Sequence, residues 1–129
     1  MDDVAARITS AADGSVCTLG IFEAGELVGF VAVIHPQRAK LRHGVELAGM
    51  YVSPGFRRRG FGRALLRATV AHVRSRAGVR QITLGVNVTN PAARALYRSI
   101  GFESYAVEPD ALQVDGRFCD EERYVLRFA

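Results

Sequence analysis

Residues 57–62 read Arg-Arg-Arg-Gly-Phe-Gly, with Tyr51-Val52-Ser53-Pro54 before them and Arg63-Ala64-Leu65-Leu66 after. A β-rich run, a basic turn carrying glycines and an apolar-periodic run, in that order, commit this stretch to a strand–turn–helix unit. The first turn of a helix has backbone N–H groups without intrahelical acceptors and a partial positive charge. Gly60 and Gly62 let a bulky anion approach the main chain, and arginines add charge-assisted hydrogen bonds of about 1.5–3 kcal/mol each. The segment reads as a pyrophosphate cradle. As a plain solvated basic turn, its two glycines would be mere breakers.

The flanking patterns supply the rest of the architecture. The Ala-rich residues 1–12 read as the last turns of a helix ending at Asp13-Gly14. Residues 16–22 and 27–34 alternate as strands around the hairpin turn Glu23-Ala24-Gly25-Glu26. A polar, basic loop over 35–44 leads to a third strand, Val45 to Val52, which stops at Ser53-Pro54. The helix after the glycines is expected from about Gly60 to Arg76, with Phe61, Ala64, Leu65, Ala68, His72 and Val73 on one face and Gly78 ending it. Gln81 to Val88 is a further strand, and Asn90-Pro91 caps and opens a short helix that Gly101 closes. Phe102–Val107 and Arg123–Phe128 are the closing strands, with a loop containing Asp115-Gly116 between them. The order β-β-β-α-β-α-β-β gives a mixed α/β sheet and not a doubly wound one.

Bulk properties narrow the function classes. The length of 129 residues suits one domain over 1–129, and 49% apolar residues supply one ordinary core. A net charge of +4 suits an anionic small ligand as well as weak nucleic-acid contact. Cys17 and Cys119 are too few for a disulfide framework, and His35, His43 and His72 form no metal set with nearby acids, so no metal is expected. No signal peptide or apolar run of about 18 residues is present, which points to a soluble, cytoplasmic protein without membrane contact.

Two spaced motifs carry a family resemblance. Arg57-Arg58-Arg59-Gly60-Phe61-Gly62 fits R/Q-x-x-G-x-G/A after a strand, and Asn90, Ala93, Leu96, Tyr97, Gly101 and Phe102 fit Asn-x-x-Ala-x-x-Leu-Tyr-x-x-x-Gly-Phe. Residues 16–129 therefore resemble the GCN5-related N-acetyltransferase superfamily, which moves acetyl from acetyl-coenzyme A to an amine. The resemblance implies a mostly antiparallel central sheet flanked by helices. It also implies a first strand and two helices ahead of residue 16, of which at most a helix tail fits here. The N-terminal elements thus look shortened, and a homodimer or other partner chain is one way to complete the acceptor pocket.

The same resemblance distributes roles. Acetyl-CoA is the implied cosubstrate, with residues Arg57, Arg58, Arg59, Gly60, Phe61, Gly62 and Arg63 holding its diphosphate largely through the main chain. Side chains diverge in so tight a turn, so one or two of the arginines are expected to face phosphates. Met50, Tyr51 and Val52 end a strand that splays from its neighbour and offers backbone groups to the pantetheine arm and acetyl carbonyl. Asn90 has a double role, as helix cap and as a contact to that arm. Tyr97 is the implied donor to the departing thiolate. Glu46 stands eleven positions before Arg57, where the histone acetyltransferase branch has its general base, and alternation along the strand puts it with Met50 and Val52. A solvent-facing cross-strand partner remains the other reading of Glu46.

Further expectations are weaker in kind. Arg94 and Arg98 lie one turn apart and either reach the 3′-phosphate or face solvent; Asp120, Glu121 and Glu122 would favour a cationic amine. The loop from Arg38 to His43 attracts an anion or is merely a charged loop. The leading expectation is direct acetyl transfer to a small-molecule or peptide amine, with nucleic acid an unlikely partner. The rival is a catalytically weak coenzyme A-binding module or partner subunit.

Overall fold

The computed structural model describes residues 4–128. Strands β1 (Val4–Ser10), β2 (Val16–Glu23), β3 (Glu26–Ile34) and β4 (Gly44–Val52) lead into helix α1 (Phe61–Arg74). Strand β5 (Gln81–Asn87), helix α2 (Pro91–Ile100), β6 (Glu103–Val114) and β7 (Arg117–Arg127) follow. The strands form one seven-stranded sheet in the order β1-β2-β3-β4-β5-β7-β6. Among the described residues only β4 and β5 pair in parallel, so the sheet is mixed and mostly antiparallel, as expected.

The first departure from the sequence reading is β1. Instead of a helix tail, Val4–Ser10 pairs residue for residue with β2, from Val4↔Glu23 to Ser10↔Cys17; residues 1–3 of that expectation lie outside the described residues. Alanine's helix preference amounts to less than about 1 kcal/mol per residue, and a full ladder beside an existing strand outweighs it. Asp13-Gly14 is accordingly a hairpin turn. The Asp13 carboxylate accepts from the Ser15 backbone N–H at 2.9 Å and its hydroxyl at 2.6 Å. With only residues 11–15 between β1 and β2, the first strand implied by the resemblance is present, and no helix pair lies between the two.

The second departure is the closing hairpin. Pairing of β6 with β7 continues out to Val114↔Arg117, where Asp115 and Gly116 turn the chain with φ of 51° and 76°. Pro109 and Asp110 look like breakers in the sequence. They fall in an irregularity between Glu108 and Leu112 on an edge strand, where a missing N–H is tolerated, and the Asp110 N–H donates to the Asp120 carboxylate at 3.0 Å.

Both helices cover the same face of the sheet. Leu19, Val31, Val33, Leu47, Leu84 and Tyr124 point to that face and pack with Phe61, Leu65, Leu66 and Val73 of α1 and Tyr97 of α2. Thr69, also on the buried stripe of α1, returns its hydroxyl to the Leu65 carbonyl at 2.7 Å. The opposite face has no helix among the described residues, and it leaves Leu27, Phe30 and Ile34 exposed. His35, at the end of β3, is buried with Nε2 unpartnered; burial, then Arg76 and His72, hold its pKa below the ordinary imidazole value.

A buried carboxylate fixes α2 against the hairpin. Glu122 is 6% exposed and accepts hydrogen bonds from Arg94 Nε at 2.8 Å, Ser104 Oγ at 2.7 Å and the Tyr124 hydroxyl. Arg98 lies 3.8 Å away. The Tyr124 bond above all, with Ser104 and Arg94, outweighs burial and brings the Glu122 pKa from 4.5 to about 2. A depressed folded-state pKa means stability that is full above 4.5 and lost as pH falls towards 2. Urea unfolding between those pH values should therefore show a steeper acid loss for the wild type than for Glu122→Gln. Parallel pH profiles would remove Glu122 as the cause.

Candidate active site

The site starts from a defect in β4. Gly49 has φ of +66°, and the β3–β4 pairing slips between Ala32↔Ala48 and Phe30↔Tyr51. This is a β-bulge, which bends the strand and advances its side-chain alternation by one residue. The parallel pairing with β5 ends at the same level, at Leu47↔Leu84. Beyond it the strands part, opening a wedge of about 220 Å³ lined by Leu47, Gly49, Met50, Gly85, Asn90 and Tyr97, among others. The splay expected at Met50, Tyr51 and Val52 is present.

A second cleft of about 540 Å³ adjoins the wedge through Met50, Asn90 and Ala93. Its walls are the end of β4 (Tyr51, Val52), the turn (Phe56, Arg57, Arg58), Gly62 of α1 and Leu96 of α2. Gly60 is the N-cap of α1 at φ 83° with no side-chain cap, and the first helical bond runs from Ala64 N–H to the Gly60 carbonyl at 3.0 Å. The amides ahead of Ala64 belong to the turn that no intrahelical acceptor reaches. Arg58 adds a second left-handed residue, φ 62°. A left-handed residue followed by the right-handed start of a helix, as at Gly60 and Phe61, turns successive N–H groups inward as an anion nest. A Cβ on Gly62 would stand 3.5 Å from Leu96 and 3.9 Å from Met50 and Val52, inside the cleft.

The three arginines of the turn are divided among different partners. Arg57 Nε donates to the Val52 carbonyl at 3.0 Å and its guanidinium lies 5.8 Å from the Tyr51 ring. Arg58 lines the cleft beside it. Arg59 turns away: it forms a two-oxygen ion pair with Glu23 at 2.9 and 3.0 Å and stacks near Phe56 and Phe61. Its side chain is committed elsewhere, which leaves its backbone for any anion. Phe61 is buried and can offer the nest only main-chain groups, whereas Arg63, one residue further into the helix than Gly62, is exposed.

On α2, Asn90 accepts the Ala93 N–H at 3.1 Å, the cap expected from Asn-Pro, and it lines both clefts. Tyr97 is 8% exposed, packed edge-on to Phe102 at 5.8 Å, with no hydrogen-bond partner for its hydroxyl among the described residues. Burial raises its pKa above the ordinary phenol value, so it stays protonated at neutral pH. A protonated, unpartnered donor on the wall of the wedge can stabilise developing negative charge.

Glu46 is not where alternation puts it. The Gly49 bulge breaks the parity with Met50 and Val52, and Glu46 lies with Ile34 and Thr83 in register, on the open face of the sheet. There its carboxylate accepts a hydrogen bond from Arg123. Glu46 and Tyr97 thus lie on opposite faces of the sheet, and of the two only Tyr97 lines the wedge. Arg94 is held by Glu122 and does not supply a free guanidinium, and Arg98 lies 5.9 Å from the Tyr124 ring. The three acids expected before the last strand lie within β7; Glu122 is sequestered under α2 and Asp120 serves the β6 irregularity. Only Glu121, 3.5 Å from Arg123, shares the open face. Arg42 is tied to the Gln37 carbonyl in the basic loop. Gly49, Gly85 and Arg123 escaped the sequence reading, although a glycine inside a strand pattern is itself a bulge signal.

Among the described residues no group of three His, Cys, Asp or Glu could hold a metal ion, and neither Cys17 nor Cys119 lines the two clefts. No described helix is long and apolar enough to cross a membrane.

Comparison with known proteins agrees with the fold. The chain is 41% identical over 87 residues to a mycothiol acetyltransferase of Thermobispora bispora, a match covering 66% of this chain and 29% of that one. It is 41% identical over 61 residues to the ribosomal protein bS18-alanine N-acetyltransferase of Salmonella typhimurium, covering 47% of this chain and 40% of that one. The chain thus spans less than half the length of either relative. The structure of yncA of Salmonella typhimurium, determined with its cofactor acetyl-CoA, superposes with a TM-score of 0.80 at 27% identity, over 88% of this chain and 65% of that one. The model of the acetyltransferase (GNAT) family matches residues 2–102, and the chain belongs to that family.

Proposed function

We propose that this chain binds acetyl-CoA along the two joined clefts and transfers its acetyl group to a primary amine by direct attack. The observation that carries the proposal is the continuity of the cleft at the start of α1 with a wedge whose lining includes Tyr97, a residue with no hydrogen-bond partner among the described residues. The residues present fit the carrier: the bare Gly62 leaves room on the cleft floor, and Met50, Ala93 and Leu96 give apolar walls to a pantetheine arm. Arg57 and Arg58 supply positive charge at the diphosphate end. Acetyl-CoA contributes a thioester that an amine can open.

In the transfer a bond forms between the amine nitrogen and the acetyl carbon, and the carbon–sulfur bond breaks. Backbone N–H groups of the splayed end of β4 polarise the carbonyl. Tyr97 donates a hydrogen bond to the departing sulfur; full proton transfer from a phenol near pKa 10 to a thiolate near 8.5 is uphill by about 2 kcal/mol, so the proton settles afterwards. The acceptor must arrive neutral, which costs about 4.6 kcal/mol for a lysine-type amine at pH 7 and about 1 kcal/mol for an α-amine. Glu46, through water, is the proposed proton acceptor, once Arg123 shares its hydrogen bond. The two named relatives act on different amines, and neither name is carried over as the acceptor here.

The rival reading, a coenzyme A-binding module with little turnover, is favoured by the open sheet face, where strands alone would wall the acceptor. Calorimetric titration with acetyl-CoA together with transfer to an amine panel separates the two: binding without turnover supports the module, and no binding at all sinks both.

Two glycines should give opposite signatures. Gly62→Ala relieves a helix of a poor residue, worth about 0.5–1 kcal/mol, yet fills the cleft; it should melt no lower than wild type while weakening acetyl-CoA by about tenfold or more. Gly60→Ala should lose about 1–2 kcal/mol of stability at its left-handed φ. Tyr97→Phe should lower kcat by about 100-fold, the scale for one lost oxyanion-type donor, with acetyl-CoA affinity held within about twofold. An unaltered kcat would exclude Tyr97 from the departure step.

A further inference from the structure

Gly85 lies in the middle of β5, and a Cβ built on it would fall 2.4 Å from the carboxyl carbon of Glu121 and 2.6 and 2.7 Å from its oxygens. The absence of a side chain at position 85 is what lets a carboxylate from β7 lie across β5. Gly85 also lines the wedge with Leu47, Met50 and Tyr97, so this carboxylate lies against a wedge residue, on the open face of the sheet. Glu121 is 20% exposed there. Arg123 stands beside it, hydrogen-bonded to Glu46 and 3.4 Å from the Tyr105 hydroxyl, with Nη1 3.5 Å from Glu121. That last separation is longer than a direct hydrogen bond, and the Glu121 oxygens retain acceptor capacity. Two carboxylates around one guanidinium leave the group with a formal charge of −1.

We propose that Glu121 is a specificity-determining residue: seated over Gly85, it receives the ammonium group of the acceptor at the open-face mouth of the wedge. The preferred acceptors are then cationic amines with no carboxylate beside the nitrogen, because an amino-acid carboxylate would be brought against Glu46 and Glu121. This rests on the reading of the wedge as the acetyl-transfer site. It adds to that reading a residue and a substrate class.

The test is steady-state kinetics at saturating acetyl-CoA with spermidine and kanamycin A, and glycine as the zwitterionic control. Wild type should acetylate the two cationic amines far better than glycine. Glu121→Gln should raise their KM by about tenfold or more, equivalent to about 1.4 kcal/mol, with kcat altered by less than about threefold. In Gly85→Ala the new methyl meets only the flexible end of a side chain, so the protein should fold with an unchanged Tm. It should nonetheless displace the carboxylate and raise KM comparably. In a Glu121→Ala background Gly85→Ala should add nothing, a non-additivity that a general structural defect would not produce.

A KM in Glu121→Gln within about twofold of wild type overturns the proposal. So does a Gly85→Ala effect that persists in the Glu121→Ala background, or wild-type protein that binds acetyl-CoA yet acetylates neither cationic amine. Calorimetry with acetyl-CoA distinguishes the failures. Absent binding condemns the wedge reading itself, whereas intact binding with unmoved KM condemns Glu121 alone.

Discussion

The structure depends on the place where the parallel strand pair, β4 with β5, comes apart. Past Leu47↔Leu84, β4 and β5 each keep a partner on the outer side: Tyr51 and Val52 pair with Phe30 and Gly29, and residues 85–87 pair with β7. The two lips are therefore held open by ladders on their far sides, and the backbone groups that face each other across the gap have no strand to bond. Main-chain polar groups in such a position demand partners. An amide-rich arm ending in a carbonyl would satisfy them with little rearrangement of the protein, since the gap is already formed.

Charge is distributed so that the cleft keeps some of its arginines. Arg59 is drawn off by Glu23 in a partly exposed pair whose contribution to stability is of the order of 0–1 kcal/mol. Its larger effect is directional, because it removes one guanidinium from the turn and leaves Arg57 and Arg58 at the cleft. Glu122 does the corresponding work on α2. By holding Arg94 it locks the helix that carries Asn90 and Tyr97 onto the hairpin, and a buried carboxylate is tolerated there because Ser104, Tyr124 and Arg94 satisfy it.

Much of this was legible from residue order. The turn at 57–62, the Asn90 cap, the left-handed Gly101 and the Glu23–Glu26 hairpin, with Ala24 and Gly25 at φ 50° and 81°, are local devices, and local chemistry determines them. What stayed hidden is non-local. Val4–Ser10 is a strand because β2 offers a free edge, which no window of alanines reveals. Pro109 and Asp110 are absorbed by an irregularity that only the partner strand makes affordable. The face of Glu46 was misjudged for a related reason: alternation is a sound guide only while the ladder is regular, and the Gly49 bulge shifts every residue beyond it. A glycine in the middle of a strand was the available warning, at position 49 and again at 85.

The two faces of the sheet divide the labour that the proposed chemistry requires. Tyr97, the apolar trough and the nest all lie under or between the helices, where burial favours a neutral phenol and an apolar arm. Glu46, Glu121, Arg123 and Tyr105 lie on the face that carries no helix among the described residues. A carboxylate placed on the helix side would be desolvated beside a thioester and would oppose the negative charge that develops there. Placed across the wedge it can attract a cation without that penalty, since the strands separate it from the departing sulfur. The short β1–β2 connection places no helix over this charged face among the described residues.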